Sequence, residues 1–347
     1  MAIINSRLPA ILDRAREAKA PTKAECVFLL ELPETSLEAA LLRATADATM
    51  RQRFGNEAII LGQIGVEIAA CPAACKFCSF GEGHTRFEPK VMTTTEILQC
   101  ADAFTASHEL YSLFLMTMHT FEFGRLTETV RAVRERIPAG TQIVVNIGDF
   151  NRAQAAELRA AGVNGAYHVC RLREGTDTKL DPEARKQTIR VIRDSGMDWY
   201  YCCEPVGPEH SAEELVEQMF LGIDYGCFQH AAMRRVYVPG SPLAARGQIT
   251  ELRLGQVTAV VALATLACPE TRNIAVHEPN LIGLTSGANV VYAEKGANPR
   301  DTEEDTSGHR GRDIAACKTM LYEAGFGQLL TAPGRRQSLA DAFRCRN

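Results

Sequence analysis

The chain has 347 residues, 46% of them hydrophobic, with 38 basic against 42 acidic side chains and a formal net charge of -4. That is enough chain for one large α/β barrel or two ordinary domains, and the mildly acidic balance leaves no field to draw it onto nucleic acid. No apolar stretch reaches the ~18–20 residues that cross a bilayer, and Met1 to Arg16 lack the apolar core and cleavage site of a secretory signal, so a cytoplasmic, membrane-free protein is expected.

Residues 1–56 read as an N-terminal helical extension. Small and apolar side chains recur from Ala10 to Ala20, and Leu37 to Arg51 is an Ala/Leu-rich helix with Ser36 as N-cap and Glu38 in its first turn. From Glu57 the pattern changes, and Ala58 to Ile68 reads as a strand running into a cysteine motif. Further strands are expected at Tyr111 to Met116, Gln142 to Ile147, Gly165 to Leu172, Trp199 to Cys203, Ala232 to Val238, Asn273 to Val276 and Asn289 to Tyr292. Between them lie helical stretches at Thr94 to Thr105, Leu126 to Arg136, Arg152 to Ala161, Glu183 to Ser195, Ser211 to Leu221 and Leu252 to Leu266. Ser211 followed by Glu214 fits a capping box, and Gly162 and Gly196 stand where helices stop.

About eight strand–helix repeats over residues 57–327 imply an α/β protein of the (β/α)8 TIM-barrel type, with an open doubly wound sheet as the alternative. The chain has no G-x-G-x-x-G after its first strand and no G-x-x-x-x-G-K-[ST], so dinucleotide and P-loop readings lose support. Residues 328–347, rich in Gly, Arg and Gln, read as a loosely attached C-terminal tail.

Twelve cysteines in a large chain without a secretory signal point to metal before disulfides. Cys26, Cys100, Cys227, Cys268, Cys317 and Cys345 stand alone and read as small buried hydrophobes. Cys71, Cys75 and Cys78 form a C-x3-C-x2-C triplet with Phe77 before the third cysteine. Three thiolates in one short loop suit three irons of a 4Fe–4S cluster and leave the fourth iron open. Zinc is the rival, with His84 closing the shell; a thioredoxin-like redox pair leaves Cys71 without a role.

The triplet resembles that of the radical S-adenosylmethionine superfamily. The run from Cys78 through Arg86-Phe87-Glu88 to the helix at Thr94 is similar to the biotin synthase-like group, which includes biotin synthase, the [FeFe]-hydrogenase maturase HydE and methylornithine synthase. Leu284 to Val291, followed by Gly311-Arg312-Asp313-Ile314, is particularly similar to methylornithine synthase, and the resemblance covers roughly residues 40 to 325. It implies a 4Fe–4S cluster on Cys71, Cys75 and Cys78, with S-adenosylmethionine on the open iron. It further implies a 5′-deoxyadenosyl radical that takes hydrogen from a small, polar or amino-acid-like metabolite, a carbon-skeleton rearrangement or bond cleavage in a biosynthetic pathway, and a reducing partner such as flavodoxin or ferredoxin. The reactive group belongs to the cofactor, so no side chain is expected to be catalytic in itself.

Carried over residue by residue, the resemblance implies that Arg185 meets the S-adenosylmethionine carboxylate, that Glu174 touches its methionine part and that Phe77 shields the cluster edge. Backbone at Thr117 and Met118 takes the amino group, although Thr117-Met118-His119-Thr120 departs from the family's Gly-Gly-Glu. Asn146, Val206, Gly207 and Val238 complete the cofactor contacts. His119, His168, Arg171, Tyr201, His277 and Glu278 sit at or after predicted strand ends and are the candidate substrate contacts. Sulfur insertion of the biotin synthase kind is the alternative reaction. It needs a second cluster on inward cysteines, where this chain has Leu115 and Asn146, with Cys202 or Cys203 matching only one position. A non-catalytic zinc protein is the alternative of another class.

Overall fold

The computed structural model describes residues 5–332 and 334–344. Helices α1 (Arg7–Arg16), α2 (Lys23–Glu31) and α3 (Leu37–Arg53) precede strand β1 (Glu57–Gly65). A short pair, β2 (Glu67–Ile68) and β3 (Lys90–Val91), brackets the cysteine loop. Alternation then begins: α4 (Thr94–Thr105), β4 (Ser112–Met116), α5 (Phe123–Arg136), β5 (Gln142–Asn146), α6 (Arg152–Ala161), β6 (Gly165–Tyr167) and α7 (Pro182–Asp194). It continues through β7 (Asp198–Tyr200), β8 (Cys203–Val206), α8 (Ala212–Asp224), β9 (Gln229–Arg234), α9 (Glu251–Ala264), β10 (Asn273–His277), α10 (Leu281–Leu284), β11 (Val290–Gly296) and α11 (Ile314–Glu323).

Eight parallel strands, β1, β4, β5, β6, β7, β9, β10 and β11, pair in that order, and β11 pairs back onto β1. The sheet is therefore closed, which settles barrel against open sheet. The chain resumes pairing with β9 as β8 after a two-residue break beyond β7.

Local chemistry sets the helix ends. Reciprocal capping boxes start α4 (Thr93 with Glu96), α6 (Asn151 with Gln154) and α8 (Ser211 with Glu214), each a satisfied pair of orphan N–H groups. Gly162, at φ 109°, ends α6 in the left-handed region that a side chain disfavours. The sixth barrel strand starts at Gln229, three residues before the expected Ala232, and α8 runs on to Asp224.

The lower barrel is plugged. Phe114, Tyr200 and Tyr292 meet edge to face at centroid distances of 5.2 and 5.6 Å, and Gln229 Nε2 donates to Tyr292 Oη at 2.9 Å. With that end filled, open space is left at the C-terminal strand ends, where ligands of such barrels sit.

Helices α2 and α3 cover α8 and α9. Gln256 Nε2 donates to Leu29 O and Leu32 O at 2.8 and 2.9 Å, and Arg253 donates to Leu30 O. This cover explains why α9 is buried all round from Leu254 to Ala264. Beyond Gly327 the chain forms β12 (Gln328–Ala332), parallel to the start of β1, then β13 (Arg335–Ser338) and α12 (Leu339–Arg344), so this segment is paired where the sequence suggested loose attachment. Cys345, read from the sequence as a lone buried thiol, lies outside the described residues. Among the described residues no helix is long and apolar enough to cross a membrane.

Candidate active site

The cysteine loop is fastened to the barrel rim by its backbone. Lys76 N–H donates to Asp177 O (2.9 Å), Lys179 N–H to Ala73 O (2.8 Å), Ser79 N–H to Pro299 O (2.9 Å) and Leu243 N–H to Lys76 O (3.0 Å). These bonds tie it to the loops that follow β6, β11 and β9. Underneath, Ile68, Cys71, Ala73, Phe80, Met118, Leu180 and Ala297 form a small core of their own. Ala74 takes φ 46°, the left-handed turn that lets the chain double back between Cys71 and Cys75.

Cys71, Cys75, Phe77 and Cys78 all line one cavity of about 1150 Å³, counted out to its open mouth. Burial pushes the Cys75 thiol up to about 11, although Arg171 pulls it the other way, and burial raises Cys78 further. Both are neutral thiols at pH 7, so a thiophilic metal must displace their protons. The donor set fits an iron–sulfur cluster: three soft sulfurs open to one space, with the Phe80 N–H donating to Cys78 Sγ at 3.4 Å. Among the described residues no three His, Cys, Asp or Glu groups converge as ligands of a single ion would. His84, the proposed fourth zinc ligand, instead has Nε2 2.7 Å from Cys78 O.

The same cavity is lined by Thr117, Met118, His119, Asn146, Arg171, Arg185 and His277. Arg185, on α7, is 3% exposed; its Nε and Nη2 donate to Val169 O at 3.1 and 3.0 Å, and Nη1 donates to Asp149 Oδ1 at 3.1 Å. Glu174 stands behind this wall. Its carboxylate accepts from Arg171 N–H at 2.8 Å and from Thr178 Oγ1 at 2.6 Å, and lies 3.9 Å from the Arg185 guanidinium. Arg171 Nε reaches Glu204 Oε1 at 3.1 Å, and Tyr167 Oη donates to Glu204 Oε2 at 2.5 Å.

Asp149 is the residue that sequence reasoning missed. It follows β5 with no motif around it, yet it binds Arg185 and Thr188 Oγ1 (2.8 Å) and has His168 Nε2 at 3.2 Å and His119 Nε2 at 4.0 Å. Burial would raise its carboxyl, but His168, Arg185 and Thr188 outweigh that and hold it well below the usual carboxylate range. Arg234, Arg235 and Arg300, all on the cavity wall, were also missed. Arg234 and Arg235 are adjacent at the end of β9 and Arg300 stands in the loop after β11, with no motif around them to set them apart from surface arginines.

Several anticipated contacts lie elsewhere. Tyr201 points out of the barrel, its hydroxyl donating to Gln218 O on α8 at 3.1 Å, because Tyr200 takes the inward place. Val206 is buried in the main core while Pro205 lines the cavity. Gly207 packs under the Arg235 guanidinium, and Val238 falls where the chain turns away through Ser241. His168 is fully enclosed behind Asp149, and burial pushes it down to about 3, so it is neutral. Glu278 is held by Arg300 at 3.0 Å and by Arg310 outside the lining. Cys170 and Cys203 direct their sulfurs at carbonyls of Pro182 and Leu215, away from the cavity.

No family profile matches the chain. It is 23% identical over 269 residues to a biotin synthase of Nocardioides sp. (strain ATCC BAA-499 / JS614), covering 75% of this chain and 70% of that protein. It is 28% identical over 226 residues to a biotin synthase of Salinispora tropica, covering 60% of this chain and 66% of that one. In fold it is similar to the crystal structure of methylornithine synthase, with a TM-score of 0.77 and 18% identity over 96% of this chain and 99% of that one. With a cysteine triplet at the mouth of a closed parallel barrel, the chain is similar in sequence to biotin synthases and in fold to methylornithine synthase, the biotin synthase-like group of the radical S-adenosylmethionine enzymes.

Proposed function

We propose that Cys71, Cys75 and Cys78 hold a 4Fe–4S cluster, that S-adenosylmethionine lies across the barrel mouth, and that the enzyme acts on a small polar metabolite deeper in the cavity to rearrange or cleave its carbon skeleton. The observation that carries this reading is that three thiols and the buried Arg185 guanidinium line one cavity. Held there, a reduced cluster would supply the single electron for reductive cleavage of S-adenosylmethionine, and with it the capacity to take hydrogen from an unactivated carbon.

The chain's own part is positioning and exclusion. Arg185 offers a guanidinium to the S-adenosylmethionine carboxylate, and Asp149, Glu174 and Val169 O fix its plane. The backbone of Thr117 to His119 faces the amino group. Phe77 and Met118 keep water from the sulfur side of the cavity. Electrons come from a low-potential carrier such as flavodoxin or ferredoxin.

Anaerobic reconstitution with iron and sulfide tests the reading. The expected product is brown, carries about four irons per chain, and forms 5′-deoxyadenosine from S-adenosylmethionine under dithionite, whereas Cys75→Ala does neither. About six irons per chain would favour sulfur insertion with a second cluster. A colourless zinc protein would refute the proposal.

A further inference from the structure

We infer that the substrate is a small carboxylate that carries no charged amine, held by the wall that β9, β10 and the loop after β11 build. The inference rests on the radical reading of the same cavity and narrows it, against the amino-acid-like metabolite that the sequence suggested. Five arginines line the cavity, Arg171, Arg185, Arg234, Arg235 and Arg300, against one acid, Glu204. That acid is engaged at both oxygens, by Arg171 at 3.1 Å and by Tyr167 at 2.5 Å. The remaining polar groups on the opposite side, Gln63 and Asn146, are neutral amides. Among the described residues that line the wall, none offers an uncommitted negative charge to an ammonium group.

Individual nitrogen atoms, in contrast, are left without hydrogen-bond partners, even on Arg300, whose charge is paired with Glu278 and Glu294. Arg300 Nη1, His277 Nε2 and Arg234 Nε are buried nitrogens with no hydrogen-bond partner, on residues that line the cavity side by side. Arg300 Nη1 lies 3.0 Å from Glu278 Oε1 at an angle that makes no hydrogen bond, while Nη2 lies 2.6 Å from Glu294 Oε1. His277 stacks on Tyr292 (4.7 Å, 28°), which fixes its ring, and burial with Arg300 nearby keeps it neutral, so one ring nitrogen carries a proton. Buried donors without partners are rare unless a ligand completes them. Of the other guanidinium groups, Arg171 is bound to Glu204, Arg185 to Asp149 at 3.1 Å, and Arg235 to Glu209 at 2.5 Å, with the buried Arg235 Nε also left without a partner. A carboxylate offers two oxygens to this row of nitrogens. Met116, Met118 and Ile147 across the cavity give its hydrocarbon part an apolar surface.

The test uses the reconstituted holoenzyme with S-adenosylmethionine present, titrated calorimetrically with hexanoate, hexanamide, hexylamine and 2-aminohexanoate. Hexanoate is expected to bind at least ~10-fold tighter than the other three, and Arg300→Met to lose at least ~10-fold of that affinity. His277→Phe, which keeps the ring stack and frees no buried acid, is expected to weaken hexanoate and leave hexanamide nearly unchanged. The inference is overturned if hexylamine or 2-aminohexanoate binds as tightly as hexanoate, if the four do not differ, or if His277→Phe leaves hexanoate affinity intact. Iron content and substrate-free 5′-deoxyadenosine report separately on the radical reading, so its failure is distinguishable.

Discussion

Replacing Asp149 by alanine isolates what holds the Arg185 guanidinium. Arg185 keeps two bonds to Val169 O, which fix its position along the wall, but loses its ionic partner at 3.1 Å and the link to Thr188 at 2.8 Å. A hydrogen bond between charged groups contributes about 1.5–3 kcal/mol. The Asp149 side chain is 30% exposed, so solvent screening argues for the lower end of that range. A loss of about 1.4 kcal/mol is tenfold in affinity. S-adenosylmethionine should therefore bind Asp149→Ala roughly 10-fold more weakly in equilibrium dialysis of the reconstituted enzyme, with cluster absorbance unchanged. Asp149→Asn, which keeps an acceptor, should lie between the two. Affinity equal to the parent's in Asp149→Ala would refute the claim that this carboxylate orients Arg185.

Gly148→Ala should disturb the same region through space alone. Its added carbon would stand 1.8 Å from His119 O, so the Thr117–His119 segment must move, and thermal melting should show a loss of roughly 1–3 kcal/mol. Gly308→Ala, with nothing within 4 Å, is the control expected to melt like the parent. Acid should destabilise the fold early. Burial holds His230 at about 4 and His277 at about 3, below the ordinary histidine value, so the unfolded chain takes up protons that the folded chain does not. Stability from each is complete above about pH 6.5 and falls as pH drops, by roughly 2 kcal/mol per histidine at pH 5. His230→Gln should flatten the denaturant-midpoint curve between pH 7 and 5.

The barrel was legible because its signals are local. Asn151 with Gln154 and Ser211 with Glu214 mark helix starts, Gly162 marks a stop, and the triplet occupies eight consecutive positions. What was not legible depends on strand phase or on distant partners. Gln229 and His230 look like loop residues, yet both are buried, one bonded to Tyr292 and the other to Met219 O, so the strand start was read too late. Tyr201 and Val206 each sit one residue out of the inward phase, a slip that sends a side chain to the opposite face of the sheet. Asp149 and Arg300 gain their meaning only from residues 36 positions and 22 positions away respectively, Arg185 and Glu278.

The stitching of the cysteine loop has a practical corollary. Because its backbone is bonded to the loops after β6, β9 and β11 and rests on a small core of its own, the three sulfurs are placed by the barrel mouth as one unit, so a change in any of those loops reaches all of them together.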